Sequence, residues 1–304
     1  MTKIEIPAAL VESQTEFNGD EGVAWVERLP GLASGCLERW DLRLDGAPLN
    51  GLASLILPVL RADGESAMLK LQLMDDETEG EPVALRAWGG QGAVRLLEDA
   101  PEDGAMLLER VRPGHTLLTV ADETEALTIL TGVLGRLVEH PAPPELRTLR
   151  DVAHAMLAEA PAALEKLVDD EERELSRACA ARLAELADEP GDRLLHWDLH
   201  YENVLASTRE PWVAIDPKPL AGDPGFDLLP ALHNRWDEVE ASGDVHRAVR
   251  RRFDLMTEML GLDRERAAGW TLARVLQNTL WEIEDGDDEM SEVQYLVGEA
   301  MLKI

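Results

Sequence analysis

With 304 residues, 45% of them hydrophobic, the chain can bury one large core or two smaller ones, and ordinary domain sizes favour two. Its 60 acidic against 29 basic residues leave a net charge of −31, which argues against nucleic acid as a partner, maintains solubility and draws in cationic ligands. No run of eighteen apolar residues occurs and MTKIEIPAALVESQTE lacks a signal peptide's apolar core, so a cytoplasmic protein without membrane contact is expected; Cys36 and Cys179 suit neither a disulfide framework nor a zinc site.

From Trp40 to Leu108 the pattern is one of short strand-like runs: WDLRL, the turn-rich DGAPLNG (residues 45–51), LASLILPVLR, ADG and AMLKLQL. Three antiparallel strands are the simplest reading. Glu81 opens a helix that Gly89 and Gly90 stop, a strand follows, and Ala105 to Glu109 (AMLLE) reads as a fifth strand. Pro113-Gly114 then breaks the chain, which places a hinge there and divides it into residues 1–110 and 111–304. Leu127, Leu130, Leu134 and Leu137 recur at helical spacing, with Ile129, Val133 and Val138 widening the stripe. Asp122 or Thr124 caps that helix, and Pro141, Pro143 and Pro144 end it. Residues 148–187 continue helical, interrupted at Pro161 and stopped by Pro190-Gly191. A strand-and-loop segment follows, and helices resume from about Leu228 to the end.

That segment, His196 to Asp216, reads HWDLHYENVLASTREPWVAID. Asp198 lies among apolar and aromatic residues, where a carboxylate accepts or orients a hydroxyl proton. Asn203 supplies a neutral amide oxygen suited to a hard cation, and Asp216 ends an apolar run just before Pro217. Each alone is as well read as a cap or turn residue. Together they match the order that phosphoryl transfer around a Mg²⁺-bound nucleotide requires.

His196-Trp197-Asp198-Leu199-His200-Tyr201-Glu202-Asn203, followed by Ala214-Ile215-Asp216, resembles the catalytic and metal-binding loops of the aminoglycoside phosphotransferase family, whose pattern is HGDLHxxN and then a strand ending in ID. AIDPKPLAGDPGFDLLPALHNRWDE, AWGGQGAVRLLE and LLERVRPG are similar to the subgroup of streptomycin 6-kinases and hydroxyurea phosphotransferases. The resemblance implies an α+β fold with two protein-kinase-like lobes, a small antiparallel-sheet lobe and a larger, mainly helical one. It implies an enzyme using ATP and Mg²⁺, with Asp198 as the catalytic carboxylate, Asn203 and Asp216 as metal ligands, and His196, His200, Asp223 and Asp227 supporting the loops. Lys70 would reach the α- and β-phosphates with Glu81 fixing it, DGAPLNG would cover the phosphates, and Glu109 and Arg110 would hold adenine by their backbone. Trp197 departs from the pattern by replacing a glycine.

The implied acceptor is a small cationic molecule, an aminocyclitol such as streptomycin or alternatively hydroxyurea. Trp197, Trp236, Asp237, Glu238, Trp281 and Glu282 are the candidate acceptor-pocket residues, since acids and indoles together suit guanidinium or amine groups. The acidic run 282–289 is equally a solvated turn. Two other classes remain. A zinc hydrolase would use His196 and His200, but HWDLH lacks the glutamate that follows the first histidine in zincins. A non-catalytic nucleotide-binding module would keep the fold, with Trp197 as its motive. The sequence is silent on oligomeric state.

Overall fold

The structure, a computed structural model, describes residues 4–304. It opens with a helical segment for which the strand pattern beginning at Trp40 offers no hint: α1 (Ala8–Arg39), kinked at Gly19, whose φ is +50°. Beyond the kink Trp25, Leu29, Ala33 and Cys36 recur at intervals of three and four residues, so they share one face and are all buried. Gly22 permits the tight return, because a Cβ there would meet the Gln14 carbonyl oxygen at 2.1 Å.

The α1 stripe packs on an antiparallel sheet. Its strands are β1 (Arg43–Leu44), β2 (Leu49–Asn50), β3 (Ser54–Leu60), β4 (Ser66–Gln72), β5 (Leu96–Ala100) and β6 (Ala105–Glu109), ordered β1-β3-β4-β6-β5 with β2 also on β3. Helix α2 (Glu81–Trp88) precedes β5 and ends at Gly89, whose φ of +56° makes the expected stop. The alternation of a strand decides which residues reach the site. Leu55, Leu57, Val59, Ala67, Leu69, Leu71 and Leu107 join the core under α1, whereas Met68, Met106 and Leu108 turn to the opposite core. Lys70 shares the parity of Met68 and so faces away from α1.

One expectation shifts here. Leu49 and Asn50 of DGAPLNG pair with Ile56 and Leu55, so the tight turn falls at residues 51–53 rather than across 45–51. Ser13 Oγ donates to the carbonyl of Leu52 at 2.8 Å, which ties α1 to this turn.

The remaining elements are β7 (Val111–Thr116), α3 (Glu123–Val138), α4 (Leu149–Ala163), α5 (Asp170–Leu186), β8 (Arg193–Leu195), β9 (Val204–Ser207), β10 (Trp212–Ala214), β11 (Leu220–Gly222), α6 (Leu229–His233), α7 (Trp236–Ala241), α8 (Val245–Leu260), α9 (Arg264–Asp285) and α10 (Glu292–Leu302). Asp122 is the cap of α3, accepting from the Glu125 N–H at 2.8 Å. Two breaks differ from the sequence reading. Pro113 and Gly114 lie within β7, in a bulge between the pairs Val111–Ser207 and Thr116–Leu205, so strand pairing to β9 continues across the expected chain break. Pro161 falls in the last turns of α4 without ending it, and the interruption comes at residues 167–169.

Beyond β7 the core is built by the helices, and α9, buried along most of its length, runs through it. Strands β8 and β11 pair with each other, and β9 and β10 form a hairpin; the loops leaving them carry Asp198, Asn203 and Asp216. No helix among the described residues is long and apolar enough to cross a membrane.

Leu29 is fully buried between α1 and the sheet. Leu29→Ala is predicted to lower unfolding free energy by about 2–5 kcal/mol in chemical denaturation. A loss below ~1 kcal/mol would show that α1 is not part of the sheet's core.

Candidate active site

The face of β4 turned from α1 presents one charged side chain, Lys70. Its Nζ donates to both carboxylate oxygens of Glu81 at 2.8 and 2.7 Å and to Asp216 Oδ1 at 3.0 Å. Gln72, two residues along the same face, donates to Glu81 Oε2 at 2.9 Å. Burial alone would lower the Lys70 pKa, but the charges of Asp216 and Glu81 overcome it and push the ammonium up to about 12. The cation is therefore permanent, and one residue from each of β4, α2 and the segment after β10 meets at it. The cleft beside it encloses about 230 Å³ and is lined by Asn50, Ile56, Lys70, Leu108, Ile215 and Asp216 among others.

Asp198 follows β8 in a loop whose shape depends on one buried carboxylate. Asp227 accepts the N–H of His196 at 2.8 Å and that of Trp197 at 2.6 Å. Held this way, Trp197 adopts a left-handed φ of +64°, a conformation glycine takes without strain and a bulky residue rarely does. Asp216 is likewise left-handed, at +55°. His196 Nε2–H donates to the Ile215 carbonyl at 2.9 Å, leaving Nδ1 to accept from the Asp198 N–H at 3.4 Å. The imidazole thus links the loop of Asp198 to the segment of Asp216 and stacks against Trp88. Both nitrogens are used, which removes His196 as a zinc ligand. Burial pushes its pKa down to about 3, so the ring is neutral.

Asn203 closes the loop by donating its amide N–H to the Asp198 carbonyl at 2.9 Å. Its Oδ1 is left as the acceptor, and with the part-exposed Asp216 carboxylate it offers the sparse oxygen donor set that Mg²⁺ uses alongside phosphates. The residues present fit that ion. The Asp198 carboxyl is raised by burial and drawn back by the nearby charges of Lys218, His200 and Arg274. His200 accepts from the Glu202 N–H and caps the short turn 201–203. Asp223 caps the turn 224–227 and binds Arg266 Nε at 2.7 Å, so it acts on the loop from α9 and not beside Asp216.

Trp197 does not open into the cleft. Only 1% exposed, its indole donates to Gln277 Oε1 at 3.2 Å and is approached by two guanidinium groups, Arg147 at 5.0 Å and Arg274 at 5.4 Å from the ring centre. Arg274 also covers Trp281 at 4.9 Å. Of the other candidate acceptor residues, Glu238 pairs with Arg235 and Glu282 accepts from the Ser291 N–H. Asp237 is exposed, and Trp236 packs half-buried against the helical core. The structure thus brings Trp281 to Trp197 while turning Glu238 and Glu282 to other partners. Glu284, Asp285, Asp287, Asp288 and Glu289 lie exposed around the turn between α9 and α10.

Glu109, at the end of β6, is gripped by Arg209 Nε at 3.0 Å and Nη2 at 2.6 Å, and the same guanidinium donates to the carbonyls of Gly90 and Ala93. Arg110 pairs with Asp45 instead. Gln72 and Arg209, bonded to Glu81 and Glu109, and Arg274, Glu77 and Lys218, whose charges act on the Asp198 carboxyl, are neighbours of the candidate residues that motif reading leaves unmarked. Only Lys218 had a signal, being one of five lysines in the chain.

A lysine–glutamate pair on an antiparallel sheet, joined through Asp216 to the loop that carries Asp198 and Asn203, defines a two-lobe, protein-kinase-like phosphotransferase. The crystal structure of the aminoglycoside phosphotransferase APH(4)-Ia has this fold, with a TM-score of 0.60 at 17% identity, covering 89% of this chain and 97% of that one. The chain belongs to the aminoglycoside/hydroxyurea antibiotic resistance kinase family, which matches residues 39–286. It is 56% identical over 300 residues to streptomycin 6-kinase of Streptomyces griseus, across 99% of this chain and 98% of that protein. It is 54% identical over 301 residues to hydroxyurea phosphotransferase of Kitasatospora aureofaciens, across 98% of this chain and 86% of that protein.

The neutral His196 yields a pH prediction. Its folded pKa of about 3 lies below the ordinary 6.5, so its contribution to stability is present above pH 6.5 and is lost as pH falls toward 3. His196→Gln should flatten the fall in stability between pH 6.5 and 4.5 relative to wild type in denaturant titrations. Parallel curves would show that His196 is not the group titrating.

Proposed function

We propose that this enzyme transfers the γ-phosphoryl group of ATP to a hydroxyl of a small cationic acceptor of the streptomycin type. The observation that carries the reading is the buried Lys70–Glu81–Asp216 cluster in a chain 56% identical, end to end, to a streptomycin 6-kinase. The net charge of −31 favours such an acceptor, because a negative field concentrates cations at a cleft. Hydroxyurea is the second reading, motivated by the 54% identity to a hydroxyurea phosphotransferase. We place the reaction in the cytoplasm, where ATP is at hand.

In this reading Lys70 binds the α- and β-phosphates, residues 51–53 cover them, and the backbone near Glu109 and Arg110 receives adenine. Asn203 and Asp216 hold Mg²⁺, which supplies positive charge that offsets the build-up on the phosphate oxygens. Asp198 orients the acceptor hydroxyl. As the acceptor oxygen bonds to the γ-phosphorus, the bond from that phosphorus to the bridging oxygen breaks, ADP leaves, and the hydroxyl proton passes to the Asp198 carboxylate. Residues 1–110 form the nucleotide-binding lobe and residues 111–304 the catalytic and acceptor-binding lobe. Asp227, His196 and His200 hold the loop of Asp198, and Asp223 braces its support against α9. Trp197 and Trp281 act from behind that loop, stiffening the acceptor side from within the core.

The test is ATP consumption with streptomycin and with hydroxyurea, the product being identified by mass spectrometry. Transfer to streptomycin supports the first reading, transfer to hydroxyurea alone supports the second, and transfer to neither sinks both. Asp198→Ala should reduce kcat by on the order of 1,000-fold while ATP affinity stays within about threefold. A variant retaining near wild-type kcat would remove Asp198 from its role. Asp216→Ala should instead weaken Mg²⁺-dependent nucleotide binding, and unchanged affinity in a calorimetric titration would contradict its assignment as a ligand.

A further inference from the structure

Two lysines stand next to the loops that carry Asp198 and Asp216, and the sequence reading assigns only one. Lys218 lies two residues beyond Asp216, and its N–H donates to the His196 carbonyl at 3.0 Å, which fixes its backbone beside the Asp198 loop. Its side chain, 37% exposed, makes an ion pair of 2.9 Å with Glu77, itself 28% exposed. Among the charges acting on the Asp198 carboxyl, Lys218 exerts the largest stabilising pull.

Glu77 is presented by a built turn. Asp75 Oδ1 accepts the N–H groups of Glu77 and Thr78 at 2.9 and 2.8 Å, and the Glu79 N–H returns to the Asp75 carbonyl at 3.0 Å. The turn leads into α2 and packs closely on the chain around Lys218, since a Cβ at Gly80 would lie 2.8 Å from the Pro219 ring. One short segment therefore holds both cations, Glu81 the buried Lys70 and Glu77, four residues earlier, the part-exposed Lys218. The two pairs differ in what they permit. Lys70 is fixed on all sides, whereas a part-exposed ion pair on a flexible four-carbon stem is weakly held and exchanges readily for a stronger anion.

We propose that Lys218 is a further catalytic residue: Glu77 holds its ammonium part-exposed beside the Asp198 loop, and on nucleotide binding it turns to the γ-phosphoryl oxygens and offsets their charge as the group passes to the acceptor. This rests on the phosphotransferase reading. It gives each end of the triphosphate its own lysine, Lys70 toward the α- and β-phosphates and Lys218 beside Asp198, where the bond is made. Negative charge on the transferring group is then met from the chain as well as from Mg²⁺.

The test needs no knowledge of the acceptor. Calorimetric affinity for MgADP is measured with and without aluminium fluoride, a mimic of the transferring phosphoryl group, in wild type, Lys218→Gln and Glu77→Gln. Lys218→Gln should bind MgADP as wild type does yet lose about tenfold or more of the affinity gained from aluminium fluoride, and its kcat should fall on the order of 100-fold with KM for ATP little changed. Glu77→Gln, which frees the ammonium, should keep at least the wild-type gain. An undiminished gain in Lys218→Gln, no gain in wild type, or an equal loss in Glu77→Gln would overturn the assignment, the last by reducing the pair to a structural tie. Failure of wild type to bind MgADP at all would overturn the phosphotransferase reading and this one with it.

Discussion

The rest of the site is organised by the burial of one ammonium between two carboxylates. Lys70 is 3% exposed and Glu81 1%, and charges this far from water are costly unless each is paired and hydrogen-bonded. Here the geometry meets that condition, with Glu81 accepting Lys70 on both oxygens and Gln72 on one. Removing a single member leaves an uncompensated buried charge, a loss of about 3–5 kcal/mol in comparable pairs. Asp216 adds the third contact, and through it the sheet, α2 and the loop after β10 share one electrostatic centre. A centre holding one cation and two anions has a surplus of negative charge, suited to receive Mg²⁺ and a nucleotide together.

Around that centre the chain uses backbone groups to set conformation and side chains to set charge. Asp227 takes two consecutive N–H groups and so sets the turn that carries Asp198. His196 bridges the same turn to the carbonyl before Asp216, which couples the two loops by a neutral ring that adds no charge of its own. Trp197 shows how a bulky residue is accommodated at a left-handed position. Its backbone is left-handed, and the indole goes into the core, where it donates to Gln277 and meets the guanidinium groups of Arg147 and Arg274. The tryptophan at this position therefore forms part of the wall behind the Asp198 loop.

Legibility from sequence followed the range of the interactions. Asp198, Asn203 and Asp216 could be picked out as candidates because they lie within twenty residues of one another, and the fold class followed from the same stretch by resemblance. Gly89 and Asp122 were readable because caps are local. Arg209 and Arg274 were not, since their partners lie 100 residues away at Glu109 and 77 residues away at Trp197. Helix α1 was missed because its stripe is interrupted by Gly19, Gly22 and Pro30. Proline misled twice in the same direction, each time suggesting a break where the element continues. Pro113 sits where a bulge already lacks pairing, and Pro161 removes only the one helical bond to the Leu157 carbonyl, two residues before α4 ends, a loss the packed helix absorbs without breaking there.

The central claim is that Lys70, preset by Glu81 and Asp216, is where a nucleotide's phosphates dock. Calorimetric titration of MgATP into wild type and Lys70→Met measures it directly, with near-ultraviolet circular dichroism to confirm that the variant is folded. The account predicts binding by wild type and a loss of at least about tenfold in the folded variant. Equal affinity in the two proteins would contradict it.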